Sequence, residues 1–143
     1  MRAIVSDGHS LANHTWDHPN LYQTSTECVK SELKDTDELI KRITGKSMAP
    51  NWRPPYGNID ARIRKAAESV GFSSAWLWDV DSQDWLHRGA TQRIIKRVKL
   101  DLRNCNQPTC HMLFHDLPTS VKALRIIIPM LKNEGHQFVN FTF

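Results

Sequence analysis

The apolar residues of this chain repeat at two different periods in alternation, and that alternation limits its fold more than any other feature. Between Ser25 and Gly45 the residues Val29, Leu33, Ile40 and Ile43 fall near the helical period of about 3.6, with Gly45 placed as a stop. Asn58 to Gly71 repeats the design, with Ile59, Ile63, Ala67 and Val70 on one face and an Asn or Asp as cap. Thr91 is placed to cap a third helix carrying Ile94, Ile95, Val98 and Leu102. A fourth is expected from about Ser120 to Asn133, with Pro129 imposing a kink or a late restart. Between the helices lie short apolar runs that read as strands: Ser10 to Asn13, Ser74 to Trp78, Met112 to Phe114 and His136 to Phe143. Met48 to Pro54 is a poorer candidate because prolines interrupt it. Alternating strand and helix predicts an α/β fold with a mainly parallel sheet.

Composition narrows the classes further. With 143 residues, 40% hydrophobic and 24% charged, the chain is globular and sized for one domain. Its net charge of +4 is spread without a run of like charges, so nucleic acid is not expected as a partner. No stretch approaches the roughly 18 apolar residues that span a bilayer. Met1 to His9 has no apolar core of the kind a signal peptide needs. Three cysteines leave at least one unpaired within the chain. Cys105 and Cys110 flank a turn-rich spacer short enough for a local disulfide, with Cys28 left over, while three reduced cysteines are an equal alternative.

Four polar clusters stand at or near the ends of expected strands, where parallel β/α proteins assemble their sites. In His14-Thr15-Trp16-Asp17-His18-Pro19 two histidines four apart share one face of a helical turn and suit a single cation. In Asn51 to Gly57, Pro54 and Pro55 stiffen the backbone around Arg53 and Tyr56, a loop able to aim a guanidinium at a carboxylate or a backbone N–H at an oxyanion. Asp79 to Trp85 offers three carboxylates and an aromatic, with solvated loop acids as the plainer reading. Leu113-Phe114-His115-Asp116 ends an apolar strand on a histidine suited to general acid catalysis.

Taken together and in this order, the clusters resemble the polysaccharide deacetylase family, carbohydrate esterase family 4, with its NodB-homology domain. His14 to Pro19 matches the family's H-[ST]-x-x-H-P, and Arg53 to Tyr56 its R-P-P-Y. Asp81-Ser82-Gln83-Asp84-Trp85 is similar to D-S-x-D-W, and Leu113-Phe114-His115 to L-x-H. The resemblance runs from about Gly8 to the C-terminus. It implies one NodB-like domain over residues 1–143, an α/β fold built as an incomplete or distorted (β/α) barrel with mainly parallel strands. It also implies deacetylation of chitin, a chitooligosaccharide, peptidoglycan or a related N-acetylated glycan through one divalent metal, zinc or else cobalt. Members of the family are mostly secreted or held at cell surfaces, which a Cys105–Cys110 bridge would suit. No protein partner is implied.

Carried over residue by residue, His14 and His18 become metal ligands and His115 the general acid for the leaving amine, with Asp84 orienting it. Arg53 would tether the catalytic base, and Tyr56 would offer its backbone N–H to the oxyanion. Trp85 and Leu113 would form the notch for the acetyl methyl group. The pattern departs from the family in one respect: the T-F-D-D motif, source of the base and of the third ligand, is absent. Asp7 lies seven residues before His14, about 20 Å away if the intervening chain is extended, and Asp17 matches a variable position. A closed barrel also needs at least about 200 residues. The expectation is therefore a chain lacking its first β/α units, from a truncated gene model, a splice product or a fragment, with too few ligands for a tight catalytic site. A competing expectation is an inactive glycan-binding homologue using Trp52, Trp78 and Trp85 as stacking surfaces. A structural zinc protein is disfavoured, since paired CxxC spacing is absent.

Overall fold

Two-residue parallel strands carry the sheet pairing, and the helices around them supply most of the buried surface. The computed structural model describes residues 1–139. It divides into two units, Met1–Leu77 and Trp78–Val139, each with its own core.

The first unit opens with a short helix, α1 (Arg2–Ser6), which the sequence patterning did not lead us to expect. Helix α2 (Thr26–Thr44) follows the periodic stretch from Ser25 to Gly45 closely. The Ser25 hydroxyl caps it by accepting the Cys28 N–H at 3.1 Å. Gly45, at φ 77°, ends it in the left-handed conformation that glycine adopts without Cβ strain, and donates its N–H to the Lys41 carbonyl. Strand β1 (Asn51–Trp52) pairs in parallel with β2 (Ser74–Ala75), with α3 (Ala61–Glu68) between them in sequence. Asp60 is the cap of α3, its carboxylate accepting the Ile63 N–H at 2.7 Å. On the other side of β1, Asn13 forms a parallel bridge to Trp52.

Two strand expectations need correction here. Ser10 to Asn13 is not a strand: Asn13 alone pairs, donating to the Asn51 carbonyl and accepting from the Arg53 N–H. The poorer candidate, Met48 to Pro54, contains the strand paired on both sides. Pro50 and Pro54 fall just outside the two paired residues, so neither removes a ladder hydrogen bond. Leu21, Val29, Leu33, Trp52, Ile63 and Phe72 are the large side chains sealed in this core.

In the second unit β3 (Val80–Asp81) pairs in parallel with β4 (Met112–Leu113), Val80 opposite Met112 and Asp81 opposite Leu113. β3 lies inside the stretch expected to be loop after a strand from Ser74 to Trp78. Helices α4 (Thr91–Asn104) and α5 (Pro118–Asn133) close Ile94, Val98, Ile127 and Leu131 over Val80. Thr91 is not the cap of α4; the cap is Ala90, whose carbonyl already accepts from Arg93 and Ile94, so Thr91 is the first helical residue. α5 starts earlier than expected, with Pro118 in the first turn, where a missing N–H costs nothing. It also runs unbroken through Pro129, with Ile127 and Leu131 buried on either side. Cys105 and Cys110 form a disulfide with Cα atoms 6.3 Å apart, and Cys28 is free. Residues His136 to Val139 are not a strand, and the rest of that expected strand lies outside the described residues. No helix among the described residues is long and apolar enough to cross a membrane.

Leu33 is fully buried on the inner face of α2. Leu33→Ala should lower unfolding free energy by about 2–5 kcal/mol through lost burial and a residual cavity, read from the midpoint of a denaturant melt.

Candidate active site

The first group of site residues sits where the chain leaves Asn13. The Asn13 side chain is buried, donating to the Leu33 carbonyl of α2 at 2.8 Å and accepting the Thr15 N–H at 2.9 Å. Beyond it the backbone turns sharply, with Thr15 at φ 66° and His18 at φ 55°, both in the left-handed region that non-glycine residues rarely occupy. The segment is therefore a bend and not the helical turn expected from the four-residue spacing. What holds it is Glu32 of α2, whose Oε2 accepts both the Trp16 N–H at 2.7 Å and the Asp17 N–H at 2.9 Å.

The bend still brings the two imidazoles together. His14 and His18 stack edge to face with ring centroids 4.8 Å apart, and His18 meets Tyr56 in the same way at 4.7 Å. The His14 Nδ1–H donates to the Arg53 carbonyl at 2.6 Å, so coordination by His14 would be through Nε2, the arrangement a second-shell carbonyl commonly fixes. Tyr56 occupies the middle of a tight 3-10 turn, Pro55–Gly57, at φ 58°. The Arg53 guanidinium is partly buried, which pulls its pKa below the ordinary value, and its Nε has no acceptor among the described residues. A buried cationic donor lacking a partner is suited to a carboxylate. Beside the bend, Trp16, Asp17, Glu32, Asp35, Glu38 and Arg42 line a cavity of about 400 Å³.

The second group is built around Asp84, fully buried at the end of the loop after β3. Its Oδ1 accepts the His115 Nδ1–H at 2.6 Å and the Trp85 N–H at 2.9 Å. Its Oδ2 accepts the His115 backbone N–H at 2.7 Å and the Ser120 hydroxyl at 2.5 Å. Burial acts to raise the Asp84 pKa, but the hydrogen bonds from Ser120 and His115 and the histidine's charge outweigh it, so the carboxyl is held below its ordinary range. The His115 side chain is 43% exposed, so its ring joins a dry carboxylate to the surface. Trp85 is half exposed, whereas Leu113 is nearly buried at the end of β4.

Trp52 corrects another expectation. At 1% exposure it belongs to the core of the first unit and offers no face to a sugar ring. Trp16 and Trp85 are the exposed indoles, and Trp78 is partly buried.

Comparison with known proteins places these residues in a family. A family profile described as Polysaccharide deacetylase matches residues 1–75, more than half of the chain. The chain belongs to the polysaccharide deacetylase family. It is 34% identical to a peptidoglycan-N-acetylglucosamine deacetylase of Bacillus cereus, an alignment covering 97% of the chain and 50% of that protein. It is 42% identical to a chitin deacetylase of Amylomyces rouxii over 59% of the chain and 20% of that protein. Among solved structures it is similar to a carbohydrate esterase family 4 pseudoenzyme of Bacillus anthracis, with a TM-score of 0.84 and 26% identity over 98% of this chain and 47% of that one. A family 4 carbohydrate esterase of Streptomyces lividans in complex with acetate aligns with a TM-score of 0.79 and 31% identity, over 94% and 66%. The chain thus spans between a fifth and a half of the length of the two curated relatives named here. Its fold class is theirs, α/β with parallel strands in an incomplete NodB-type barrel.

For this deacetylase-family chain, the motif residues stand at the strand ends and in the adjoining loops, while the residues that hold them lie elsewhere. Asn13, Glu32 and Ser120 were not singled out by the sequence reading. Glu32 and Ser120 sit on helices at positions that read as ordinary solvated face or first turn. A structural signal was present only for Asn13, a polar residue ending an apolar run. Among the described residues no group of three His, Cys, Asp or Glu is placed to hold a metal ion.

Two outcomes follow for this site. Glu32→Ala should speed amide hydrogen exchange at Trp16 and Asp17 by about tenfold or more, since each loses a charge-assisted bond worth roughly 1.5–3 kcal/mol. Because the folded Asp84 pKa is lowered, its stabilising contribution is complete above the ordinary carboxylate range and is lost as pH falls through that range and the folded value below it. Thermal melts from pH 6 down to about pH 2 should therefore show a steeper acid loss in wild type than in Asp84→Asn.

Proposed function

We propose that this chain carries the chemistry of a metal-dependent deacetylase, hydrolysing the N-acetyl groups of chitin or a related N-acetylated glycan, peptidoglycan included. The observation that carries this reading is the pairing of a buried Asp84 with the exposed His115 through a 2.6 Å hydrogen bond, on residues matching the family's D-S-x-D-W and L-x-H motifs. A buried carboxylate on Nδ1 fixes the orientation of the ring and leaves Nε2 as the nitrogen able to donate a proton to substrate.

In this proposal water adds to the acetamide carbonyl, the C–N bond breaks, and His115 protonates the departing amine as acetate is released. Asp84 orients His115 and balances its charge. The Tyr56 backbone N–H receives the developing oxyanion, the left-handed turn at Tyr56 setting the direction of that N–H. Trp85 and Leu113 receive the acetyl methyl group. Arg53 would anchor a base carboxylate, which suits its unpartnered Nε, although the T-F-D-D motif that supplies that carboxylate in the family is not in this sequence.

His14 and His18 are the residues that would hold the metal, zinc or else cobalt. Their donor chemistry fits a divalent ion of that kind, although two imidazoles fall one short of the usual three protein ligands. When bound, the ion supplies the Lewis acidity that lets water act as a nucleophile near neutral pH. The residues 1–143 are read as one NodB-like domain, and the Cys105–Cys110 bridge suits an oxidising setting, secreted or at a cell surface.

A second reading has an observation in its favour. One structural neighbour at TM-score 0.84 is a pseudoenzyme, and this chain contains no T-F-D-D. An inactive homologue that binds glycan, with Trp16 and Trp85 as exposed stacking faces, would follow.

Acetate release from a chitin oligosaccharide in the presence of zinc or cobalt separates the two. The enzyme reading expects release that is lost in His18→Ala and falls by about 10²–10⁴ in His115→Ala. Glycan binding with no acetate would sink it in favour of the inactive homologue.

A further inference from the structure

Asp84 has no exposed surface, and four donors use its two oxygens: the His115 ring and the Trp85 N–H on Oδ1, the His115 N–H and the Ser120 hydroxyl on Oδ2. A carboxylate has about four lone-pair positions, so this set is complete. Three of the four donors belong to the two motifs themselves, because Trp85 adjoins Asp84 and His115 supplies two. The fourth comes from another element, the first turn of α5. Ser120 is 1% exposed, and its 2.5 Å contact is the shortest of the four. A serine in a first turn commonly serves its own helix, yet α5 has no side-chain cap and the Ser120 hydroxyl turns to the carboxylate instead.

We infer that Ser120 is a positioning residue for the acid–base histidine, its hydroxyl holding the Asp84 carboxylate in the rotation that aims Oδ1 at His115 Nδ1. The inference rests on the reading of His115 as general acid. A carboxylate on a short side chain can rotate about its terminal torsion, which has broad minima. Donors on both oxygens, from different elements, remove that freedom. The hydroxyl also takes up part of the charge on Oδ2. Without it Oδ2 keeps one donor in a dry site, the carboxylate becomes more basic, and it holds the His115 proton more firmly.

Asp116 follows His115 in sequence and is exposed. On α4, Arg97 and Asp101 pair with each other, and Asp101 accepts the Asp81 N–H. From α5 the group that reaches Asp84 is the neutral Ser120.

The test is a proton NMR titration of the His115 ring in the full chain, without metal or substrate, for wild type, Ser120→Ala and Ser120→Thr. In Ser120→Ala the His115 midpoint should move to higher pH, because the more basic carboxylate holds the ring proton more firmly. Ser120→Thr, which keeps a hydroxyl, should restore it. Should the added methyl group disturb this buried position, Ser120→Cys provides a weak donor of similar size and an intermediate midpoint is expected. A folded Ser120→Ala protein whose midpoint is unchanged, or moves down, overturns the assignment. Absence of acetate release by wild type would sink the proposed reaction and still leave the titration readable, so the two failures are distinguishable.

Discussion

Strands of two residues form very few ladder hydrogen bonds, and this sets the problem that the rest of each unit solves. The segments flanking Asn13, β1, β3 and β4 cannot be fixed by a long sheet, so side-chain acceptors take over backbone N–H groups that a ladder would otherwise satisfy. Glu32 takes those of Trp16 and Asp17, Asp37 that of Met48, Asp79 that of His111, and Asp84 those of Trp85 and His115. Each is a charge-assisted bond, stronger than its neutral counterpart and directional. Acids that resemble a solvated surface in sequence thus act as internal fasteners, one of them beside each histidine site: Glu32 at the bend that carries His14 and His18, Asp84 at His115.

That arrangement explains which parts of the fold were legible. α2 could be read almost to the residue because its period, its Ser25 cap and its Gly45 stop all act within a few residues of one another. β1 was harder, since its pairing depends on Asn13 and on β2, both distant in sequence, while prolines at 50 and 54 argue locally against a strand. α5 was legible to its last residue, Asn133, but not its passage through Pro129. Pro129 is a strong local signal for a restart, yet the helix continues across it with Ile127 and Leu131 buried on either side. Local rules held where the deciding forces were local and lapsed where tertiary packing decided.

The site shows the same division. Four motifs could be recognised because each is short and contiguous, and the residue types they bring together are the ones the structure pairs. The spacing of His14 and His18 suggested a helical turn, yet the rings meet across a bend with two left-handed residues. Four-residue spacing constrains how far apart two side chains can be without saying which backbone path joins them. Glu32, sixteen residues after Trp16 in α2, holds the bend together with the Asn13 side chain, and nothing near it in the sequence marks it as different from its exposed neighbours. Trp52 went wrong similarly: an aromatic next to a motif arginine looks like a binding face until the ladder on both sides of β1 places it inside.

The burial of Asp84 bears on what a deacetylase-family chain can lose and still keep. A carboxylate removed from water must be paired or fully hydrogen-bonded, or it takes up a proton. Asp84 meets that condition with four donors, and replacing the His115 side chain would remove the ring Nδ1–H while the backbone N–H stayed, leaving the buried acid one partner short. The acid and the histidine therefore support folding as well as any proton transfer. The His14 and His18 rings, by contrast, belong to exposed residues. A homologue that stopped hydrolysing glycans would be under physical pressure to keep Asp84, His115 and Ser120 together while its metal ligands were free to change. The His–Asp pair is thus the part of the proposed reaction that folding itself retains, and under that proposal His14 and His18 are where an enzyme and an inactive relative would part.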